Sequence, residues 1–132
     1  MTYLLDTNIC IHFLRGMFNL DKKIDEIGIE NCVISEITFA ELVYGAENSP
    51  NTDKNLVVVE QFVEEITVLP IFEAIYQYAK EKTRLRKLGL MISDFDLFIG
   101  CTAKEHNLIM VTENEREFRR ISGIEIENWI SR

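Results

Sequence analysis

Asp6, Glu41 and Asp96 are the side chains of this sequence best placed to do chemistry, because each sits where a merely solvated acid has no reason to be. Asp6 follows the apolar run TYLL and so ends a short buried strand, although Asp-Thr-Asn is also a good helix start. Glu41 lies in FAELVYGA, with Phe39, Leu42, Val43 and Ala46 on one helical face and Ile37, Ala40 and Tyr44 on the face that Glu41 shares. A carboxylate on a helix that is apolar nearly all round is expected to be partly buried, where an unpaired charge is costly. It then needs a cation, for which an ion pair with Lys or Arg is the alternative to a metal. Asp96, in ISDFDLFIG, shares a face with Ile99, Gly100 and Ala103, and the small pair lets another element pack close. Its alternative role, shared with Asp94, is to neutralise the N-terminus of a helix opened by Ser93.

Three carboxylates at the edges of one crevice suit a hard cation such as Mg²⁺ or Mn²⁺, which takes oxygen ligands and keeps waters for a substrate phosphate. Such an ion polarises a phosphoryl oxygen and acidifies a bound water, the chemistry of phosphodiester hydrolysis. A fourth position comes from VTENEREF, where Glu113, Asn114 and Glu117 are candidates and Asn114 can offer an amide oxygen or hold a water. Glu113 and Glu115 read more simply as parts of a solvated turn. His12 and His106 share no segment with each other or with a nucleophilic Ser or Cys, which leaves a triad hydrolase little support. Neither GxGxxG nor GxxxxGK[ST] occurs, so dinucleotide and P-loop readings fail.

These acids must be positioned by short strands and amphipathic helices. TYLLD, Cys32–Ile34, Thr67–Leu69, Leu108–Thr112 and Ile124–Ile126 read as strands. Between them the patterns predict helices from about Asn8 to Arg15, from Ser35 until Asn48, Ser49 and Pro50, over Lys54–Glu65, and over Phe72–Leu88 ending at Gly89. Two more run from Ser93 to about His106 and over Glu115–Arg119. Apolar strands alternating with helices predict an α/β fold, a short parallel sheet covered on both faces, with polar strand ends gathered in one crevice.

The 132 residues fit one domain, taken as 1–132, since domains commonly hold about 100 to 150. Lys and Arg total 14 against 22 acids, a formal charge of −8, so nothing in the bulk charge attracts nucleic acid or an anionic membrane. An RNA partner has to be drawn in by metal or by a local basic patch. The one basic run, Lys80 to Lys87, places Lys80, Arg84 and Lys87 on one helical stripe, either a solvated face or a phosphate-contacting ridge. Cys10, Cys32 and Cys101 lack any CxxC or clustered-histidine pattern, and we expect reduced, buried thiols in a cytoplasmic protein. The N-terminus has no cationic leader, and no run approaches the roughly 18 apolar residues of a membrane span.

DTNICIHFL, SEITFAELVYGAENS, ISDFDLFIGCTA and LIMVTENEREFRRISGIEIENW together resemble the PIN-domain ribonucleases, and within them the VapC toxins of bacterial toxin–antitoxin pairs. The four blocks occur in the family's order and span essentially the whole chain; AELVYGAENS and IENW look most like the subgroup that cuts initiator tRNA in its anticodon stem-loop. The resemblance implies a PIN-like fold, a Mg²⁺- or Mn²⁺-dependent endoribonuclease, a homodimer, and inhibition by a VapB-type antitoxin. It carries the family's acidic trio onto Asp6, Glu41 and Asp96, with Asp6 and Asp96 as direct metal ligands and Glu41 binding metal or orienting its water. The family's frequent fourth acid falls at Asn114, a departure that weakens the case for a second tightly bound metal. An antitoxin Arg entering the crevice would pair with the trio, and Phe13, Met17 and Phe18 offer a groove for its helix.

Two other readings stay open. A PIN-like interaction module without turnover has Asn114 as its support and the intact trio against it. A nuclease acting on DNA or structured flaps shares the metal chemistry, but the chain lacks inserted elements to hold a branched duplex.

Overall fold

Alternate residues of each central strand enter opposite cores: Leu4, Val33 and Met110 face one, Leu5, Ile34 and Val111 the other. That period of two is what a sheet buried on both faces requires. The computed structural model describes residues 2–132, and among them five strands alternate with seven α-helices, one helix more than the sequence patterns predict. The strands are β1 (Tyr3–Leu5), β2 (Cys32–Ser35), β3 (Thr67–Leu69), β4 (Ile109–Val111) and β5 (Glu125–Glu127). They pair in the order β3-β2-β1-β4-β5, every pair parallel.

Helices α1 (Thr7–Leu14), α2 (Leu20–Ile27), α3 (Glu36–Glu47) and α4 (Thr52–Glu65) cover one face, and α5 (Ile75–Leu88), α6 (Asp94–Glu105) and α7 (Glu115–Phe118) the other. Their ends follow local chemistry. The Ser35 hydroxyl accepts from the Ile37 N–H at 3.0 Å and starts α3, and the Ser93 hydroxyl accepts from the Asp96 N–H at 3.2 Å and starts α6. Gly89 ends α5 at φ 69°, a left-handed conformation that a Cβ would strain.

Two local readings change. The helix expected from Phe72 begins with a 3₁₀ turn over Phe72–Ala74 before α5 proper. Helix α2, not anticipated, exists because Leu20, Ile24 and Ile27 recur on one side of LDKKIDEI, and Leu20 and Ile24 are buried. Cys10, Cys32 and Cys101 are free thiols and all buried; burial first of all pushes Cys32 up to about 11 and Cys101 up to about 12. Among the described residues no helix is long and apolar enough to cross a membrane.

The chain builds outward from β1 through β2 to β3, then returns to β4 on the other side of β1. The order therefore reverses between β1 and β4, and parallel sheets open a crevice at the C-terminal ends of the strands flanking such a reversal.

Candidate active site

Asp6 leaves the end of β1 at that crevice and is 4% exposed. Its Oδ1 accepts from the Thr7 N–H at 2.8 Å, so it does cap α1, and its Oδ2 accepts from the Thr112 hydroxyl at 2.7 Å, across from the end of β4. Burial pushes the Asp6 carboxyl up to about 6; the bonds from Thr112 and Thr7 pull the other way, and the charges of Asp96 and Glu41 add to the rise.

Glu41 is half-buried on α3, where its Oε1 accepts from the Thr7 hydroxyl at 2.6 Å, and that hydroxyl lies 3.1 Å from the Thr38 hydroxyl. No Lys or Arg among the described residues forms an ion pair with Glu41, so the structural ion pair weighed as its alternative is absent. Its helix is also less apolar around than the sequence suggested, because Ala40 and Tyr44 face solvent.

Asp96 stands half-buried on the first turn of α6. Burial raises its carboxyl, the Ser93 hydroxyl opposes this, and the charges of Glu117 and Glu41 raise it further. The small residue beneath it does allow close approach: a Cβ on Gly100 would run into Ile121 Cδ1 and come within 3.2 Å of Phe118. That contact seats α7 beside α6 and brings Glu117 to Asp96. Asp94 turns elsewhere, accepting from Lys82 Nζ at 2.9 Å and the Tyr78 hydroxyl at 3.0 Å.

Asn114 occupies the N-cap position of α7, with its backbone N–H donating to the Thr112 hydroxyl at 2.9 Å, but its side chain caps nothing. The acid that acts on Asp96 from this segment is Glu117, one turn further on. Glu113 is drawn away by Arg132 and by His12 Nε2 at 3.3 Å, and Glu115 pairs with Arg119 at 2.9 Å. Glu117, one of the three candidates in VTENEREF, is thus the acid that reaches the site, and Thr7 and Thr112 are parts of it that motif reading passed over. The signal was their place in DTN and VTENEREF, immediately beside the acids.

The basic stripe is corrected at its centre. Arg84 donates from Nε to Glu81 Oε2 at 2.7 Å and from Nη2 to the Arg120 carbonyl, so it braces the fold and is not free for phosphate. Glu81 is buried and also accepts from Lys104 Nζ at 2.9 Å, from the Ser122 N–H at 3.1 Å and from the Ser122 hydroxyl. Burial alone pulls the Glu81 carboxyl up, but the bonds from Ser122, Lys104 and Arg84 outweigh it and hold it down at about 2. Lys80 and Lys87 remain exposed. The groove expected around Phe13, Met17 and Phe18 is also displaced: Phe13 packs on Phe62 and Phe18 on His12. An open groove of about 370 Å³ lies instead between α1, α3 and α4, lined by Leu14, Leu42, Ala46 and Val59, with Glu41 at its edge.

A hard divalent cation fits this donor set. Asp6, Glu41, Asp96 and Glu117 offer only oxygen, burial and then the neighbouring carboxylates make Asp6 and Asp96 hold their protons more tightly, and Asn8 Oδ1, two residues after Asp6, is a buried acceptor without a hydrogen-bond partner. As placed, no group of three His, Cys, Asp or Glu side chains among the described residues is arranged to hold an ion. The carboxylates feel one another's charge without converging to ligand distances.

A PIN domain model matches residues 3–124 of the chain. The chain is 35% identical over 130 residues to a tRNA(fMet)-specific endonuclease VapC of Shigella flexneri, with 98% of each chain covered. It is 36% identical over 134 residues to a ribonuclease VapC2 of Haemophilus influenzae, covering 98% of this chain and 99% of that one. Among solved structures, DNA-bound VapBC from Salmonella typhimurium superposes with a TM-score of 0.91 at 34% identity over 98% of both chains. VapBC-1 from nontypeable Haemophilus influenzae gives 0.87 at 33%, again over 98% of both.

Proposed function

This chain belongs to the PIN-domain family, in the VapC group of toxin–antitoxin ribonucleases, and on that premise we propose that it is a Mg²⁺- or Mn²⁺-dependent endoribonuclease that cuts initiator tRNA in the anticodon stem-loop and so stops translation. The observation that carries the metal-dependent nuclease reading is the crevice at the β1/β4 reversal, where Asp6, buried and raised to about 6, shares one electrostatic neighbourhood with Glu41 and Asp96. The choice of tRNA rests on the VapC relatives named for that substrate.

Asp6 and Asp96 would hold the ion, which when bound supplies Lewis-acid polarisation of the scissile phosphate and acidifies a water. Thr112 and the Thr7 N–H hold the Asp6 carboxylate in one orientation at the crevice. Glu41, held by the Thr7 hydroxyl, orients the attacking water and takes its proton. Asn114 and Glu117 bound the crevice from α7; Glu117 supplies the acid that position 114 lacks. The whole of 1–132 serves as one PIN domain. We further propose a VapB-type antitoxin as its partner, since VapC chains of this likeness were crystallised as VapBC complexes. Its segment would lie in the α1/α3/α4 groove and reach the carboxylates past Glu41. The exposed Phe72, Ile75 and Tyr76 fit the homodimer contact that the resemblance implies, and the site of action is the cytoplasm, where tRNA is.

The test is cleavage of initiator tRNA, elongator tRNA and single-stranded DNA by one preparation, with Mg²⁺, Mn²⁺ or chelator. Metal-dependent cutting of initiator tRNA, lost in Asp96→Asn, is the expected result. Full activity in chelator, or in Asp96→Asn, refutes the assigned site; equal cutting of all three substrates refutes the specificity.

A further inference from the structure

The aromatic rings of this protein divide into those that pack on one another and those that do not. Tyr3 meets Trp129, Phe13 meets Phe62, Phe18 meets His12, and Tyr78 stacks on Phe98 at 3.9 Å. Tyr44, Phe72, Tyr76 and Phe95 have no such ring partner among the described residues and are 69%, 77%, 82% and 51% exposed. Two of these four border the carboxylates. Tyr44 is one turn after Glu41 on α3, and Phe95 immediately precedes Asp96 on the first turn of α6.

Tyr44 is solvent-exposed on the stripe of α3 that carries Glu41. Ile37, Glu41 and Tyr44 form one stripe at helical spacing, and Ile37 packs on the core cluster that contains Leu97 and Ile99 of α6. Tyr44 therefore shares the stripe of Ile37 and Glu41, and it does not line the groove that α3 forms with α1 and α4. The two exposed rings stand on the two helices that bear Glu41 and Asp96, each within one turn of its carboxylate.

The chain carries a net charge of −8, its basic stripe has lost Arg84 to Glu81, and its reaction centre is acidic. Long-range attraction to an RNA backbone is therefore weak, and affinity has to come from contacts that do not need charge. Stacking of unpaired bases on exposed aromatic faces is such a contact and tolerates any base. We propose that Tyr44 and Phe95 are the base-stacking residues of this nuclease, each holding an unpaired base beside the phosphate placed at Asp6, Glu41 and Asp96, so that single-stranded loops and not helical RNA are its substrates. The inference rests on the nuclease reading above and adds to it the residues that select unpaired RNA.

The test uses the full chain and an RNA hairpin with 2-aminopurine in its loop. Binding is read in an Asp6→Asn background by quenching of the base's fluorescence, and turnover in the otherwise unchanged chain with Mg²⁺. Tyr44→Leu and Phe95→Leu should each relieve the quench and weaken binding roughly tenfold, the loss falling on KM more than on kcat, while Tyr44→Phe and Phe95→Tyr keep both. Leucine variants are checked by thermal melting and sedimentation, and glutamine replaces leucine at a position that melts early. Unchanged quench and KM in the ring-less variants, with cleavage intact, overturn the proposal. So does a change in dimerisation or antitoxin binding with RNA affinity kept, which would assign the rings to a protein contact. Absence of any metal-dependent RNA cleavage by the parent chain would instead refute the nuclease reading itself.

Discussion

The Thr112 hydroxyl donates to Asp6 Oδ2 at 2.7 Å, joining the ends of two adjacent parallel strands whose residues lie 106 positions apart. The bond crosses the point where the strand order reverses, so the acid at the centre of the site is anchored to both sides of the crevice. The same hydroxyl accepts the Asn114 N–H at 2.9 Å and so also sets the turn into α7.

Replacing Thr112 by Val keeps the shape and removes the donor. Burial already holds Asp6 at about 6, and Thr112 is the strongest influence restraining it. We expect the acid limb of the cleavage pH profile to move up by on the order of one pH unit and the fold to lose about 1–2 kcal/mol. An NMR titration of the Asp6 carboxyl alongside the pH–rate profile checks this; an unmoved limb would leave Thr112 a turn residue only.

Asp6→Asn should strengthen the metal-free fold while abolishing cleavage. The folded carboxyl titrates near 6 against an ordinary 3.8, so the folded chain binds the extra proton between those values. The stability contributed by that proton is complete below 3.8 and is lost as pH rises through about 6. At pH 8 the ionised group then costs up to about 3 kcal/mol. Melts in chelator should show the variant above the parent at pH 8 and the two converging below pH 4, with added Mg²⁺ raising only the parent. A variant that melts lower at pH 8 would contradict the assigned strain.

Gly100→Ala pits two effects against each other. Alanine favours a helix by about 1 kcal/mol over glycine, but here its Cβ meets Ile121 Cδ1 and crowds Phe118, an overpacking cost of about 1–3 kcal/mol. We expect net destabilisation and reduced cleavage, because α7 and Glu117 must shift from Asp96. Ile121→Val removes the colliding methyl, so urea melts of the double variant should recover most of the loss; strict additivity would refute the contact.

The divided basic stripe separates two kinds of lysine and arginine effect. Arg84→Ala should lower stability by about 1–2 kcal/mol through Glu81, since Arg84 is itself 39% exposed and solvent screens part of the pair. Lys80→Ala with Lys87→Ala should leave the melt within about 0.5 kcal/mol and reduce the salt dependence of tRNA binding by about one to two counterions. A salt titration unchanged by the lysine pair would make both ordinary surface residues.

What the sequence determined by itself was everything decided within a turn or two of chain. Ser35 and Ser93 start helices because a hydroxyl reaches the next free N–H groups, Gly89 ends one because it alone adopts the left-handed turn cheaply, and the apolar runs of β1, β2 and β4 are buried on both sides wherever they sit in the sheet. The identity of the three acids was legible for the same reason: each interrupts a local apolar pattern. Helix α2 was legible in principle, but three apolar residues among five charged or polar ones give a weak pattern until Leu20 and Ile24 find a core.

Tertiary structure decided which groups meet. Glu41 pairs with Thr7 and not with a cation because α1 and α3 leave adjacent strands; Arg84 is spent on Glu81 and Arg120 because α5 runs past the turn after α7; and Glu117, not Asn114, raises Asp96 because Gly100 lets Phe118 and Ile121 dock against α6. Apart from the one-turn pair Arg84–Glu81, these contacts join residues far apart in the chain. Their meeting depends on strand order and helix packing, which minimise exposed apolar surface over the whole domain and leave no mark on any short stretch of sequence.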